Sequence, residues 1–221
     1  MSVLLQHFIQ ASYELERPPV HIGDFTLVAG WTKTMKAYVK RGRRTGIVCV
    51  RGTKEALDWE TNLRIPFNGT IFGNRFTEDW AWLQKLRAEV PDIVWVAVGH
   101  SLGGALIDEF LERGLVSQAT TFNPAVAPKN YASGLPNRRI YYLGDPLYTL
   151  MGQYVTNPVP ELYSASAGAW LTRIIGVIGR LGTESIGHVV ATELKHSHKH
   201  EHLAEHGGTI DSLVPTLGVR P

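Results

Sequence analysis

The amino-acid sequence predicts an α/β fold of three layers with a mainly parallel central sheet. Three observations lead there. Apolar, β-branched runs of strand length alternate with segments whose apolar residues recur at helical spacing, as in successive strand–helix–strand units. One junction, Val96-Ala97-Val98-Gly99-His100-Ser101-Leu102-Gly103-Gly104-Ala105-Leu106, passes from strand to helix through G-x-S-x-G. Thr53, Ser101 and Asp145 each lie just past a predicted strand end, which is where functional groups collect in parallel sheets.

Taken in order, residues 2–14 read as an amphipathic helix that stops before Arg17-Pro18-Pro19. Phe25 to Ala29 reads as a strand. Lys36 to Lys40 and Gly46 to Arg51 read as two more, joined at the turn signal of Gly42. The second of these ends in Val50-Arg51-Gly52-Thr53. Glu55 to Leu63 reads as a helix with Ala56, Trp59 and Leu63 on one face, and 66–72 as irregular or extended. Thr77 suits the N-cap of a helix to Glu89, with Trp80, Leu83 and Leu86 as its buried stripe. Ile93 to Val98 is a buried strand. Beyond Gly104 a helix places Leu106, Phe110 and Leu111 on one side and Asp108, Glu109, Glu112 and Arg113 mostly elsewhere, and Gly114 suits its end. Ala119 to Phe122 stops at Asn123-Pro124, and Arg139 to Leu143 stops at Gly144-Asp145-Pro146.

A chain of 221 residues fits a single domain over 1–221, and 44% hydrophobic with 19% charged residues describes a globular chain. The net charge of +2, with both signs interspersed, points to no nucleic-acid partner. The lone cysteine, Cys49, leaves no intrachain disulfide to form, and residues 1–16 lack the basic start of a signal peptide. The expected location is therefore cytoplasmic or otherwise intracellular. Residues 159–182 hold an apolar stretch broken at Arg173, short of the ~20 apolar residues that cross a bilayer. Two readings stand: a core helix or pocket wall, and a lipid-surface contact with Arg173 and Arg180 at the headgroups.

The chemistry begins at G-x-S-x-G. Gly99 and Gly103 allow strand and helix to approach closely, and the helix N-terminus behind Ser101 offers free N–H groups to a developing oxyanion. A serine hydroxyl needs a base, and the base needs an orienting acid. Asp145 is the one carboxylate between Ser101 and Asn157 that is not on the elbow helix. It reads as the acid, with a turn residue before Pro146 as the alternative.

Four segments resemble the class 3 lipases, the family of fungal triacylglycerol lipases and their relatives. Val50-Arg51-Gly52-Thr53 is similar to the family's FRG[TS] motif. Asp58-Trp59 through Leu63 resembles its Trp-containing lid. GHSLGGAL at 99–106 matches its elbow nearly letter for letter. Thr121-Phe122-Asn123-Pro124 and the Tyr142-to-Pro146 segment resemble the strand ends that lead to its acid. The resemblance runs from about Ala37 to Asp145. It implies an α/β-hydrolase-type fold and serine-dependent hydrolysis of lipid or small carboxylic esters through an acyl-enzyme on Ser101. It also implies oxyanion donors at Thr53 and Leu102, and lid and substrate-binding residues at Leu57 and Trp59. Trp59 also reads as an ordinary core tryptophan, and Thr53 as a helix cap. Arg51 reads as structural, pairing with a nearby carboxylate. Where family members often show His-x-Gly-Phe, this chain has Phe72-Gly73-Asn74-Arg75-Phe76. With one cysteine and no signal sequence, it resembles intracellular or viral relatives more than secreted fungal enzymes.

Six of the nine histidines lie in the tract 188–206. In the acid-then-histidine order the base follows Asp145. The family's His-Leu-x-[aromatic]-[aromatic]-Gly segment keeps its His, Leu and Gly in His202-Leu203-Ala204-Glu205-His206-Gly207. That implies His202 as the base; His196 and His198 stand next, and chain order does not exclude His188. His196 with His200, or His202 with His206, also stand at metal-binding spacing, but no HExxH is present. The expectation is no catalytic metal and no cofactor. Three other readings stay open: a phospholipase or acyltransferase, a catalytically silent lipid-binding protein, and a metal-binding protein acting through the histidine tract.

Overall fold

The structure, a computed structural model, describes residues 5–40, 42–52, 73–126, 130, 133–142 and 159–162. Its elements in chain order are α1 (Leu5–Tyr13), β1 (His21–Ile22), β2 (Phe25–Leu27), β3 (Met35–Lys40), β4 (Thr45–Val50), α2 (Gly73–Glu89), β5 (Val94–His100), α3 (Leu102–Glu112), β6 (Ala119–Phe122), β7 (Asn137–Tyr142) and β8 (Val159–Leu162). The strands form one eight-stranded sheet whose spatial order is the sequence order. From β1 to β4 neighbours run antiparallel, and from β4 to β8 they run parallel. The change of sense follows connection length. The β1–β2 and β3–β4 links turn through Gly23 at φ 58° and Gly42 at φ 69°, and such short links can only make hairpins. From β4 onward the links are long enough to cross over.

Both faces of the sheet are buried, which is why its central strands read as continuous apolar runs. Along β4, Ile47 and Cys49 face α1, joining Leu5, Phe8, Ile9, Tyr38, Val96, Val98 and Phe122. Val48 and Val50 face the other way, among Leu83 and Leu86 of α2, Leu106, Ile107 and Phe110 of α3, Trp95 and Ala97. The result is three layers: α1, the sheet, then α2 with α3. Phe8 anchors α1 edge-on to Phe25 at 5.3 Å and to Tyr38 at 5.5 Å between ring centroids.

One charged side chain is enclosed on the α1 side. Lys36, fully buried, donates from Nζ to the Ser12 carbonyl at 3.0 Å. A cation there meets the negative end of α1. Its cross-strand partner Cys49 donates its thiol to the Lys36 carbonyl, with 3.3 Å between the heavy atoms. Burial lowers the Lys36 pKa from its ordinary value and pushes the Cys49 thiol up to about 12.

Several expectations needed correction. The helix expected from Thr77 begins at Gly73, so Thr77 lies inside α2 and does not cap it. A cap contributes about 1 kcal/mol. The buried Asp79 anchors this end of the helix instead, accepting hydrogen bonds from Thr32 and Thr34. Leu83 and Leu86 are buried as expected, but Trp80 is half-buried, with the Arg113 guanidinium 5.3 Å over its ring. β2 ends at Leu27, short of Ala29. Asp108, expected away from the core side of its helix, is fully buried. β1 and β8 were not expected; β8 lies within Val159-Pro160-Glu161-Leu162, where the proline argues against a central strand. The helix read at Glu55 to Leu63, the segment 66–72, and the 159–182 stretch beyond Leu162 lie outside the described residues.

Candidate active site

Ser101 stands between the C-terminal end of β5 and the first turn of α3, at φ 56° and ψ −128°. A non-glycine residue in this region is strained by about 1–3 kcal/mol and persists only where its surroundings hold it. Here the surroundings are the end of β6 and the turn after it. The Ser101 N–H donates to the Phe122 carbonyl at 3.1 Å, and the Ser101 carbonyl accepts from the N–H groups of Gly104 at 2.9 Å and Ala125 at 3.0 Å. Ser101 occupies the N-cap position, yet its side chain makes no capping bond to α3. The hydroxyl is therefore not spent on ending the helix, the usual use of serine at this position. Leu102 opens α3, so its N–H belongs to the first turn, whose amides have no intrahelical acceptor.

The glycines explain how closely the parts meet. A Cβ on Gly103 would run into the backbone of Val50 and Arg51, so α3 lies directly against the end of β4. A Cβ on Gly52 would stand 2.6 Å from the Ser101 Cβ and 2.9 Å from the Tyr13 hydroxyl oxygen. No side chain fits there. The chain leaving β4 thus passes in contact with Ser101, and Thr53 is the next residue.

Two polar groups hold this strand end from opposite sides. The Gly52 N–H donates to the Tyr13 hydroxyl oxygen at 3.0 Å, and that hydroxyl lies 2.7 Å from His100 Nδ1. Arg51 donates from Nε to the Lys33 carbonyl at 2.9 Å and lies in the field of Asp79. The structural job read for Arg51 matches these contacts. Burial lowers its pKa, while Tyr13 and Asp79 act the other way.

Asp108 is the buried carboxylate of the elbow helix, and it is fully engaged. Arg139 Nη2 of β7 lies 3.0 Å from both of its oxygens, and Asn137 Nδ2 donates to it at 2.8 Å. Burial raises its pKa, opposed by the charge of Arg139 and by the hydrogen bonds from Asn137 and Arg139. Its role is to lock α3 to β7, two turns of helix below Ser101.

No protein-family model matches the chain, and no curated protein does. Solved lipase structures resemble it. The Lip2 lipase of Yarrowia lipolytica is 15% identical over 67% of this chain and 72% of its own, with a TM-score of 0.46. A lipase of Rhizopus microsporus var. chinensis is 17% identical over 65% of this chain and 66% of its own, with a TM-score of 0.45. The triacylglyceride lipase of Rhizomucor miehei is 22% identical over 66% of this chain and 72% of its own, with a TM-score of 0.44. Likeness at this level decides nothing about chemistry.

Of the residues singled out from sequence, the structure places Ser101 and Leu102 in succession at the start of α3, with Gly52 against Ser101. Thr53, Leu57, Trp59, Asp145 and His202 lie outside the described residues, as does the whole histidine tract 188–206. β7 ends at Tyr142, upstream of Gly144-Asp145. Among the described residues, no group of His, Cys, Asp and Glu is arranged to hold a metal ion, and no helix is long and apolar enough to cross a membrane. Sequence reasoning missed Tyr13, which reads only as a residue near the end of an amphipathic helix, and the Asp108–Arg139 pair. Arg139, a charged residue opening an apolar strand pattern, was the available signal for that pair.

Proposed function

We propose that the chain is a serine carboxylic ester hydrolase of the class 3 lipase kind, acting on lipid or small esters. The observation that carries this reading is the strained, uncapped Ser101 at a strand–turn–helix junction with the end of β4 packed against it. In this reading the Ser101 Oγ attacks the ester carbonyl carbon while His202 Nε2 takes its proton, and Asp145 holds Nδ1–H. The carbonyl oxygen becomes an oxyanion facing the amides of Leu102 and Thr53. Collapse expels the alcohol, which takes the proton from His202. Water then attacks the acyl-enzyme by the same steps and releases the acid. Leu57 and Trp59 belong to the lid over the acyl chain. No step requires a cofactor.

The test is labelling with a fluorophosphonate probe, with and without detergent, alongside turnover of a p-nitrophenyl ester. Wild-type protein is expected to be labelled at Ser101 and to turn over the ester, and Ser101→Ala to do neither while keeping its fold. An unlabelled but folded wild type would mark a catalytically silent lipid binder. Turnover by Ser101→Ala would remove Ser101 as nucleophile.

A further inference from the structure

We propose that Tyr13 is a positioning residue of this site: its hydroxyl ties α1 to the two strand ends between which the reaction takes place. The inference rests on the hydrolase reading above. The β4–β5 register runs from Thr45↔Val94 to Val50↔Gly99. Gly52 and Ser101 both lie two residues past its last pair. There the Tyr13 hydroxyl accepts from the Gly52 N–H at 3.0 Å and lies 2.7 Å from His100 Nδ1, next to the nucleophile.

The donor assignment follows from the groups. A backbone N–H can only donate, so the phenol oxygen accepts from Gly52. The contact with His100 is made by the phenol proton or by an Nδ1 proton, according to the imidazole tautomer. His100 is 3% exposed and Tyr13 is half-buried, so the bond is partly screened from water. The Tyr13 anchor is itself fixed. Lys36 Nζ holds the Ser12 carbonyl, one residue before Tyr13, and Phe8 and Ile9 seat the helix in the core.

The consequence is geometric. Gly52 is bonded to Thr53, the proposed oxyanion donor, and His100 to Ser101, the proposed nucleophile. One hydroxyl bridging Gly52 and His100 sets the spacing of donor and nucleophile, and misplacement of reacting groups by ~1 Å costs on the order of 10²-fold in rate.

Tyr13→Phe keeps the ring and removes the bridge. With the full chain and a soluble ester, its kcat should fall ~10- to 100-fold while KM stays within about twofold, because binding to the acyl site is untouched. Phe8→Leu is the control: it loosens the same helix without touching Gly52 or His100, so its melting temperature should fall while kcat stays within about twofold. A Tyr13→Phe kcat equal to wild type overturns the proposal. So does a loss in both variants that tracks their lost stability, since Tyr13 would then act through packing alone. Fluorophosphonate labelling of the wild type in the same preparations separates the two layers. A labelled wild type with an unaffected Tyr13→Phe overturns only the role of Tyr13, whereas an unlabelled wild type overturns the hydrolase reading and this inference with it.

Discussion

Arg139→Met is expected to be among the most damaging single substitutions in the described chain. Arg139 and Asp108 are 2% and 0% exposed, and one guanidinium nitrogen sits 3.0 Å from both carboxylate oxygens. Removing the cation leaves a buried carboxylate with Asn137 as its remaining donor among these contacts. Breaking one partner out of a buried pair costs about 3–5 kcal/mol. For a chain of this length each kcal/mol shifts the melting temperature by about 2–4 °C, so a fall of about 6–20 °C is expected. The double variant Asp108→Leu/Arg139→Met should recover most of it, because replacing both partners with apolar groups is often neutral or better. An orphaned Asn137 amide would hold back about 1–3 kcal/mol. The pH dependence has a definite sign. Burial already raises the Asp108 pKa above its ordinary 3.8, and losing Arg139 raises it further. The native state of Arg139→Met then takes up the proton before the unfolded chain does as pH falls, so its deficit should be smaller at pH 5 than at pH 8. Urea and thermal melts of the four proteins of the cycle at both pH values make the measurement. Strictly additive single and double variants, or a deficit that ignores pH, would refute the claim that these two side chains form one buried unit.

Ser101→Gly should abolish ester turnover yet raise stability by about 1–3 kcal/mol, because glycine accepts φ 56° without strain; a melting temperature unchanged or lower would show that the elbow is not strained. His202→Ala should cut kcat by several orders of magnitude, while single alanines at His196, His198, His200 and His206 should each stay within about tenfold of wild type. Steady-state kinetics on one soluble ester decide it, and a silent variant elsewhere in the tract would move the base there. At high pH, Cys49 keeps its proton to about 12 against an ordinary 9.0, and burial raises Tyr38 too, so the stability they contribute is intact below pH 9 and is lost as pH climbs toward 12. Lys36 runs the other way: its pKa is lowered, so its native state sheds the proton first and its penalty fades as pH rises toward 10.5. Melting temperature should therefore fall steeply only above about pH 10.5, less so in Cys49→Ala, and an equal fall in that variant would take Cys49 out of the account.

The legible part of this protein is the part written in short-range chemistry. Short apolar, β-branched runs bounded by turn signals marked β3 to β7, helical spacing marked α1 and α3, and Gly-x-Ser-x-Gly between a strand and a helix marked the elbow. Each of these signals lies within a dozen residues, and each depends on backbone geometry that neighbouring side chains dictate. The acid, the base, Thr53 and the lid were read only from order and resemblance, and they lie outside the described residues. What the sequence could not disclose is what depends on closing long loops. Tyr13 meets His100 across 87 positions, and Asp108 meets Arg139 across 31. No local pattern encodes either meeting, because a tyrosine ending a helix and an aspartate on one look the same with or without a partner. The start of α2 at Gly73 rather than Thr77 and the burial of Lys36 belong to the same class. In each, packing against a distant element outweighs a local preference of about 1 kcal/mol. Sequence thus determined where Gly-x-Ser-x-Gly stands in the chain, and tertiary structure decided what holds Ser101.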